Sequence, residues 1–245
     1  MTNTIILTGA ICPAFPVKRK NPYIRLLDYL CAIRRWLDVS ALDQVIYCDA
    51  SGSRIPEEVF SSEKFESLSF DASDLVRHHE AGRGEAETIR YILDHSGKTF
   101  DSFYKCTGRL FVQNFGEIRN DCSRKEEQDI FLRVWQDKPW MRDWADTRFF
   151  RMKSDVYRQR ICPRIPELKG RAYRGLVMES LFYDYYSPAT SFPEPVFIGH
   201  SGHSNLVYHK EYSWDEMETA KEIVARYGVG RFFNTKSYMP GQFIF

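Results

Sequence analysis

Residues 5–10 read Ile-Ile-Leu-Thr-Gly-Ala, three apolar residues in a row that stop at a hydroxyl and a glycine. A short unbroken apolar run is how a strand buried on both faces reads, and parallel sheets are built from such strands. Thr8-Gly9-Ala10 then puts a tight loop at the strand's C-terminal end, the edge where open α/β sheets bind ligands. Downstream, Ile24, Leu27, Leu30, Cys31, Ile33 and Leu37 recur at helical spacing, with Arg25, Asp28, Arg34 and Arg35 between them. Residues 45–48 form a second strand, closed by Asp49-Ala-Ser-Gly52. Together these make one β-α-β unit.

The alternation continues. A third strand is expected at residues 66–70, a helix at 85–95 after a polar connection through 78–84, and a strand at 103–106 that residues 110–112 extend. The second half is less regular. Strand patterns fall at 131–135, 147–153 and 196–198, helical spacing at 175–186, a proline-rich loop at 188–195, and a solvated helix at 214–227 ended by Gly228. The fold class these imply is α/β, with a mixed, mostly parallel sheet flanked by helices. Without internal repeats or a low-complexity linker, residues 1–210 read as one domain, and 211–245 as a C-terminal helix and tail packing on it.

Composition narrows the function classes. The net charge is +1, so no global field draws the chain to nucleic acid or a membrane, and any basic site must be local. Six cysteines at 12, 31, 48, 106, 122 and 162 form no CxxC and no Cys/His pair at zinc-ligand spacing, which fits a reducing, cytoplasmic compartment. The N-terminal apolar run lacks a basic n-region and reads as a strand, not a signal peptide. No apolar run reaches the roughly 18 residues of a membrane span. Peripheral contact with a membrane face would fall to Lys18-Arg-Lys20 or Arg34-Arg35-Trp36, which also read as ordinary exposed charge.

Four clusters carry candidate chemistry. Thr8 and Gly9 with Asp49 occupy the loops where α/β folds hold a nucleotide, an acid there being placed for a ribose or base; tight turns use the same residues. Gly82-Arg83-Gly84-Glu85 stands before the expected helix, where glycine-opened N–H groups favour anions. Lys105, Thr107, Gly108 and Arg109 put two cations, a hydroxyl and a glycine at a strand's end, an anion site or a solvated hairpin. His200, Ser201 and His203 follow the last apolar strand as acid/base groups, phosphate ligands or a polar turn. Asp146, with Arg148 beside it, and Glu179 in an aromatic helix add carboxylates of general acid/base type.

Taken in order, IILTGAICP, RLLDYL, IYCDASG, GRGEAETIRYIL, FYKCTGRLFVQN, DTRFF and IGHSGHSN span residues 5 to about 208. This succession resembles bacterial glycosyltransferases of capsule and lipopolysaccharide biosynthesis with a GT-A-like, Rossmann-like fold. The resemblance implies a nucleotide-sugar donor, held by Thr8, Gly9, Asp49, Arg83, Gly84, Glu85, Lys105, Thr107, Gly108 and Arg109. It also implies transfer to a hydroxyl of a glycan or lipid-linked glycan acceptor. Such enzymes commonly hold the donor diphosphate through a metal on Asp-x-Asp, a motif absent from this chain. Lys105 and Arg109 are therefore expected to do the metal's electrostatic work, with no cofactor and no divalent metal. Asp146, Glu179 and His200 are the candidate catalytic bases, and Arg148, Ser201 and His203 would meet acceptor or phosphate. Two other readings stay open: a non-catalytic carbohydrate- or nucleotide-binding protein, and a CMP-sugar transferase of the sialyl or Kdo type.

Overall fold

In a computed structural model, which describes residues 2–14, 16–134, 144–169, 177–202 and 204–233 (without the side chains of 78–81), the opening stretch forms β1, Thr4–Gly9. It lies at the centre of a six-stranded sheet. Parallel neighbours are β2, Gln44–Asp49, and β4, Ser102–Thr107, with β3, Phe65–Ser69, parallel beyond β2. Antiparallel β7, Phe149–Lys153, and β6, Ile130–Phe131, complete the order β3-β2-β1-β4-β7-β6. This is the mixed, mostly parallel α/β architecture that the sequence implies.

Alternation along the strands divides the core. Ile5 and Leu7 of β1 pack with Val45, Tyr47, Tyr104 and Cys106 under helix α1, Pro22–Leu37. Ile6, Ile46, Cys48 and Phe103 face the opposite way, toward α2, Ser73–His95. Asn21 starts α1 by accepting from the N–H groups of Tyr23 and Ile24 with Pro22 behind it, a capped start that needs no tertiary help. The shorter helices are α3, Phe115–Ser123, the single turn α4, Ser154–Val156, and α5, Met178–Tyr183. The last, α6, Trp214–Tyr227, ends at Gly228 with φ 79°, as its sequence predicts.

Three expectations are corrected. Residues 78–84 are not a connection, because α2 begins at Ser73 and runs through them. A Cβ on Gly84 would stand 2.5 Å from Val76 Cγ2, whereas a straight helix separates residues eight apart by about 12 Å; α2 is therefore bent. Nor do residues 110–112 extend β4. Leu110 N–H donates to Thr107 O at 2.8 Å and closes a turn, and β5, Phe111–Val112, pairs instead with β8, Phe197–Ile198, in a second sheet. Finally, Trp36 is buried with its Nε1 donating to Leu110 O, and Arg35 is forked onto Glu216 of α6, so Arg34-Arg35-Trp36 is no membrane-facing patch. Among the described residues no helix is long and apolar enough to cross a membrane.

Candidate functional site

Parallel register aligns the ends of three strands: Gly9 stands opposite Asp49, and Thr8 opposite Thr107. Above that edge opens a cleft of about 240 Å3, walled by Thr8–Ala10, Ala50, Ser51, Thr107 and Arg109 from the sheet. Arg25 and Tyr29 of α1, Gly84, Glu85 and Thr88 of α2, and Gly202 also line it. The β4 turn can lie this close only because position 108 is glycine. Gly108 N–H donates to Thr8 O at 2.8 Å, and a Cβ there would meet that oxygen at 2.9 Å.

Two arginines give the cleft its positive charge. Arg25 is buried and satisfied by carbonyls: Nε and Nη2 donate to Ala10 O, Nη1 to Arg19 O at 3.3 Å, and Nη2 to the Tyr29 hydroxyl at 3.2 Å. Burial lowers its pKa, and Arg109 pushes the same way against Tyr29 and Asp49. Arg109 is 8% exposed, lies over the Tyr29 ring, and makes one long bond, Nη1 to His200 O at 3.5 Å. Its buried Nε has no partner. Among the described residues neither arginine pairs with a carboxylate.

Asp49 and Lys105, expected at the donor, are used internally. Asp49 is fully buried; Oδ1 takes the N–H of Ser51 and Ser53 and the Ser51 hydroxyl, and Oδ2 takes Ile11 N–H and the Tyr47 hydroxyl. With five donors on two oxygens no lone pair is left for a ribose. It fixes the loops after β1 and β2 instead. Lys105 is likewise fully buried and points toward α2, where Nζ pairs with Glu85 Oε1 and donates to Thr147 O at 2.5 Å. The ammonium is not on the cleft wall. Of the two cations in Lys105-Cys-Thr-Gly-Arg109, only Arg109 reaches it.

The Gly82–Glu85 cluster lies inside α2, so it presents no helix N-terminus to an anion. Thr8, Gly9, Gly84, Glu85 and Thr107 line the cleft, while Arg83 does not. Asp146, Glu179, Arg148, His200 and Ser201 also stand off its walls. Asp146 accepts from Arg148 Nε at 2.8 Å and Nη2 at 2.5 Å, and the guanidinium lies 4.6 and 4.7 Å from the ring centroids of the neighbouring Phe197 and Tyr208. Burial alone would lower the Arg148 pKa, but Asp146 and Tyr208 outweigh it and hold it raised. Ala145 N–H donates to Glu179 O at 2.9 Å, which joins the first turn of α5 to the Asp146 segment. His203 lies outside the described residues.

The loop after β8 nevertheless belongs to the site. Its Gly202 carbonyl accepts from Arg19 N–H at 3.2 Å, and Arg19 also grips buried Asp28 through Nε and Nη2 and Asn205 Oδ1 through Nη1. Ser201 Oγ accepts Ser204 N–H within the loop. His200 Nδ1 is buried without a partner; burial lowers its pKa, as do Arg19 and Arg109, against Asp28 and Glu211. Sequence reading missed Arg25, Tyr29 and the Arg19–Asp28 pair. The available signal was that Arg25 shares a helical stripe with Tyr29, Ala32 and Trp36, all buried.

No protein-family model matches the chain, and no curated protein does. Among solved structures it is similar to a 4-diphosphocytidyl-2C-methyl-D-erythritol synthase from Anaerococcus prevotii, at 12% identity and TM-score 0.40 over 92% of this chain and 99% of that one. It is also similar to the 2-C-methyl-D-erythritol 4-phosphate cytidylyltransferase of Francisella tularensis, at 9% identity and TM-score 0.43 over 91% and 100%. A third is the inositol-1-phosphate CTP transferase from T. maritima, at 11% identity and TM-score 0.44 over 91% and 96%. None of these similarities is strong enough to bear on substrate or reaction.

Proposed function

We propose that the protein is a transferase acting on a nucleotide-linked substrate, and more specifically a glycosyltransferase moving a sugar from a nucleotide-sugar to a hydroxyl of a surface glycan. The observation that carries this is the pair of buried arginines, Arg25 and Arg109, on one wall of a cleft at the C-terminal ends of parallel strands. Buried cations without a carboxylate are costly, and an anionic ligand offsets that cost. Strand ends are also where α/β sheets hold phosphates. The sugar and the glycan rest on the order of sequence motifs.

Arg109 is the residue placed for the chemistry. As the glycosidic C–O bond breaks, the leaving phosphate takes the electron pair, and a fixed guanidinium stabilises the growing charge. The acceptor oxygen forms the new bond and passes its proton to the departing phosphate oxygen. Arg25, saturated by carbonyls, sets the field and the loop. Lys105 does not touch the phosphate, and Asp146, Glu179 and His200 receive no role as base. The cleft is smaller than the roughly 300–1,000 Å3 of whole-ligand pockets, so part of the donor emerges over its rim.

Release of nucleotide from UDP-glucose, GDP-mannose, dTDP-glucose or CMP-sialic acid, with glycan acceptors present, tests the reading. Turnover of one donor that falls at least tenfold in Arg109→Ala supports it. Binding without turnover of any donor would leave a nucleotide-binding protein in place of a transferase.

A further inference from the structure

Glu85 is the one carboxylate on the cleft wall among the described residues, and its two oxygens differ. Oε1 accepts the Thr8 hydroxyl at 2.8 Å and is ion-paired with Lys105. Oε2 has no partner among the described residues, and the side chain keeps 24% exposure. Lys105 is spent on this arrangement. Its Nζ donates to Thr147 O and, at 3.4 Å, to Thr107 Oγ1, and is ion-paired with Glu85 Oε1, with the Phe150 ring 5.8 Å away. A fully buried ammonium held by two acceptors and an ion pair is fixed, and it fixes Oε1. The other oxygen is unpartnered, on a side chain that lines the cleft.

An ionised carboxylate is an acceptor only. It repels phosphate and takes a hydroxyl. The usual acid for hydroxyl recognition at the second strand's end is saturated here, since Asp49 already accepts five donors. We propose that Glu85 is the hydroxyl-recognition residue of the cleft, taking an OH of the ligand through Oε2 while Arg109 takes its phosphate, and that Lys105 is the positioning residue of Glu85. The proposal rests on the nucleotide-ligand reading and names the second group such a ligand must carry. The hydroxyl has two possible sources, the ribose and the attached sugar.

Calorimetric affinities for UDP, 2′-deoxy-UDP and UDP-glucose, with the corresponding guanosine series in parallel, separate them. The proteins are wild type, Glu85→Gln, Lys105→Met and the double variant, which removes both charges and leaves no buried ion unpaired. Loss of a charge-assisted hydrogen bond predicts a drop of about tenfold or more. A drop in Glu85→Gln confined to UDP-glucose assigns the hydroxyl to the sugar. A drop for UDP and UDP-glucose that spares 2′-deoxy-UDP assigns it to the ribose. Lys105→Met and the double variant follow the same selective pattern. Equal affinities in all four proteins, or a uniform loss for every ligand in folded Lys105→Met, overturn the proposal while leaving the nucleotide reading intact. Wild type that binds neither series, nor CMP or dTDP, overturns both.

Discussion

The guanidinium of Arg109 lies against Gly202, so close that a Cβ at position 202 would stand 2.4 Å from both its terminal nitrogens. Arg109 follows β4 and Gly202 follows β8, ninety-three residues later. The contact exists because β5 and β8 pair just beyond the β4 turn, which carries the β8 loop over the cleft. Tyr212 seals it by donating its hydroxyl to Arg109 O at 2.9 Å.

Gly202→Ala therefore displaces a flexible side-chain end and leaves the backbone where it is. Thermal stability stays near wild type, while nucleotide affinity falls by about tenfold as the cation is misaligned. Calorimetry on the two proteins checks it. Unchanged affinity would mean that Arg109 need not sit where it does.

Asp49→Asn removes the charge from a carboxylate that holds five donors in the core, and an amide nitrogen cannot accept them. Leaving buried donors unpaired costs about 1–3 kcal/mol for each. Denaturant unfolding measures it. A loss below about 1 kcal/mol would return Asp49 to the list of candidate ligand contacts.

Most of the fold was legible because apolar runs and helical spacing report burial directly. The strand at residues 5–7 is found two residues longer at its C-terminal end, and the helix expected from residue 23 to 37 and the glycine stop at 228 stand within a residue of where the pattern puts them. What misled were residues whose chemistry depends on partners distant in sequence. Lys105 reads as a phosphate ligand until Glu85, twenty residues earlier, is folded beneath the same strand. The glycines at 82 and 84 read as a loop, although tertiary packing against α5 and the sheet carries them inside a bent helix. Arg25 was visible only as one charge among several on α1.

The docking of α6 on α1 depends on pH. Burial pushes the Glu216 carboxyl up, but the Arg35 fork and Ser213 outweigh it and bring it down to about 2. A carboxyl whose folded pKa is depressed stabilises fully above its unfolded value of roughly 4.3. That contribution declines as the pH falls from there toward about 2. The difference in unfolding midpoint between wild type and Glu216→Gln should shrink over that window. A difference unchanged from pH 6 to pH 2 would contradict the pairing.

His200 offers a reporter beside Arg109. Its pKa lies below the ordinary histidine value, through burial first and then Arg19 and Arg109. Because the unfolded chain takes up this proton first, His200 lowers stability as pH falls below about 6.5, until the folded imidazole also protonates. An anion bound at Arg109 cancels part of the repulsion. The His200 pKa followed by NMR should therefore rise when nucleotide binds; a fall would place the phosphate elsewhere.

The central claim is that Arg109 holds a nucleotide phosphate without a metal. Thermal unfolding of wild type and Arg109→Ala in EDTA, each with UDP, GDP, CMP or dTDP, tests it most directly, since a ligand of the folded state raises the melting temperature by mass action. The account predicts that one nucleotide raises the wild-type melting temperature and that Arg109→Ala loses most of the rise. No rise with any nucleotide, a rise only when Mn2+ replaces EDTA, or an equal rise in both proteins would contradict it.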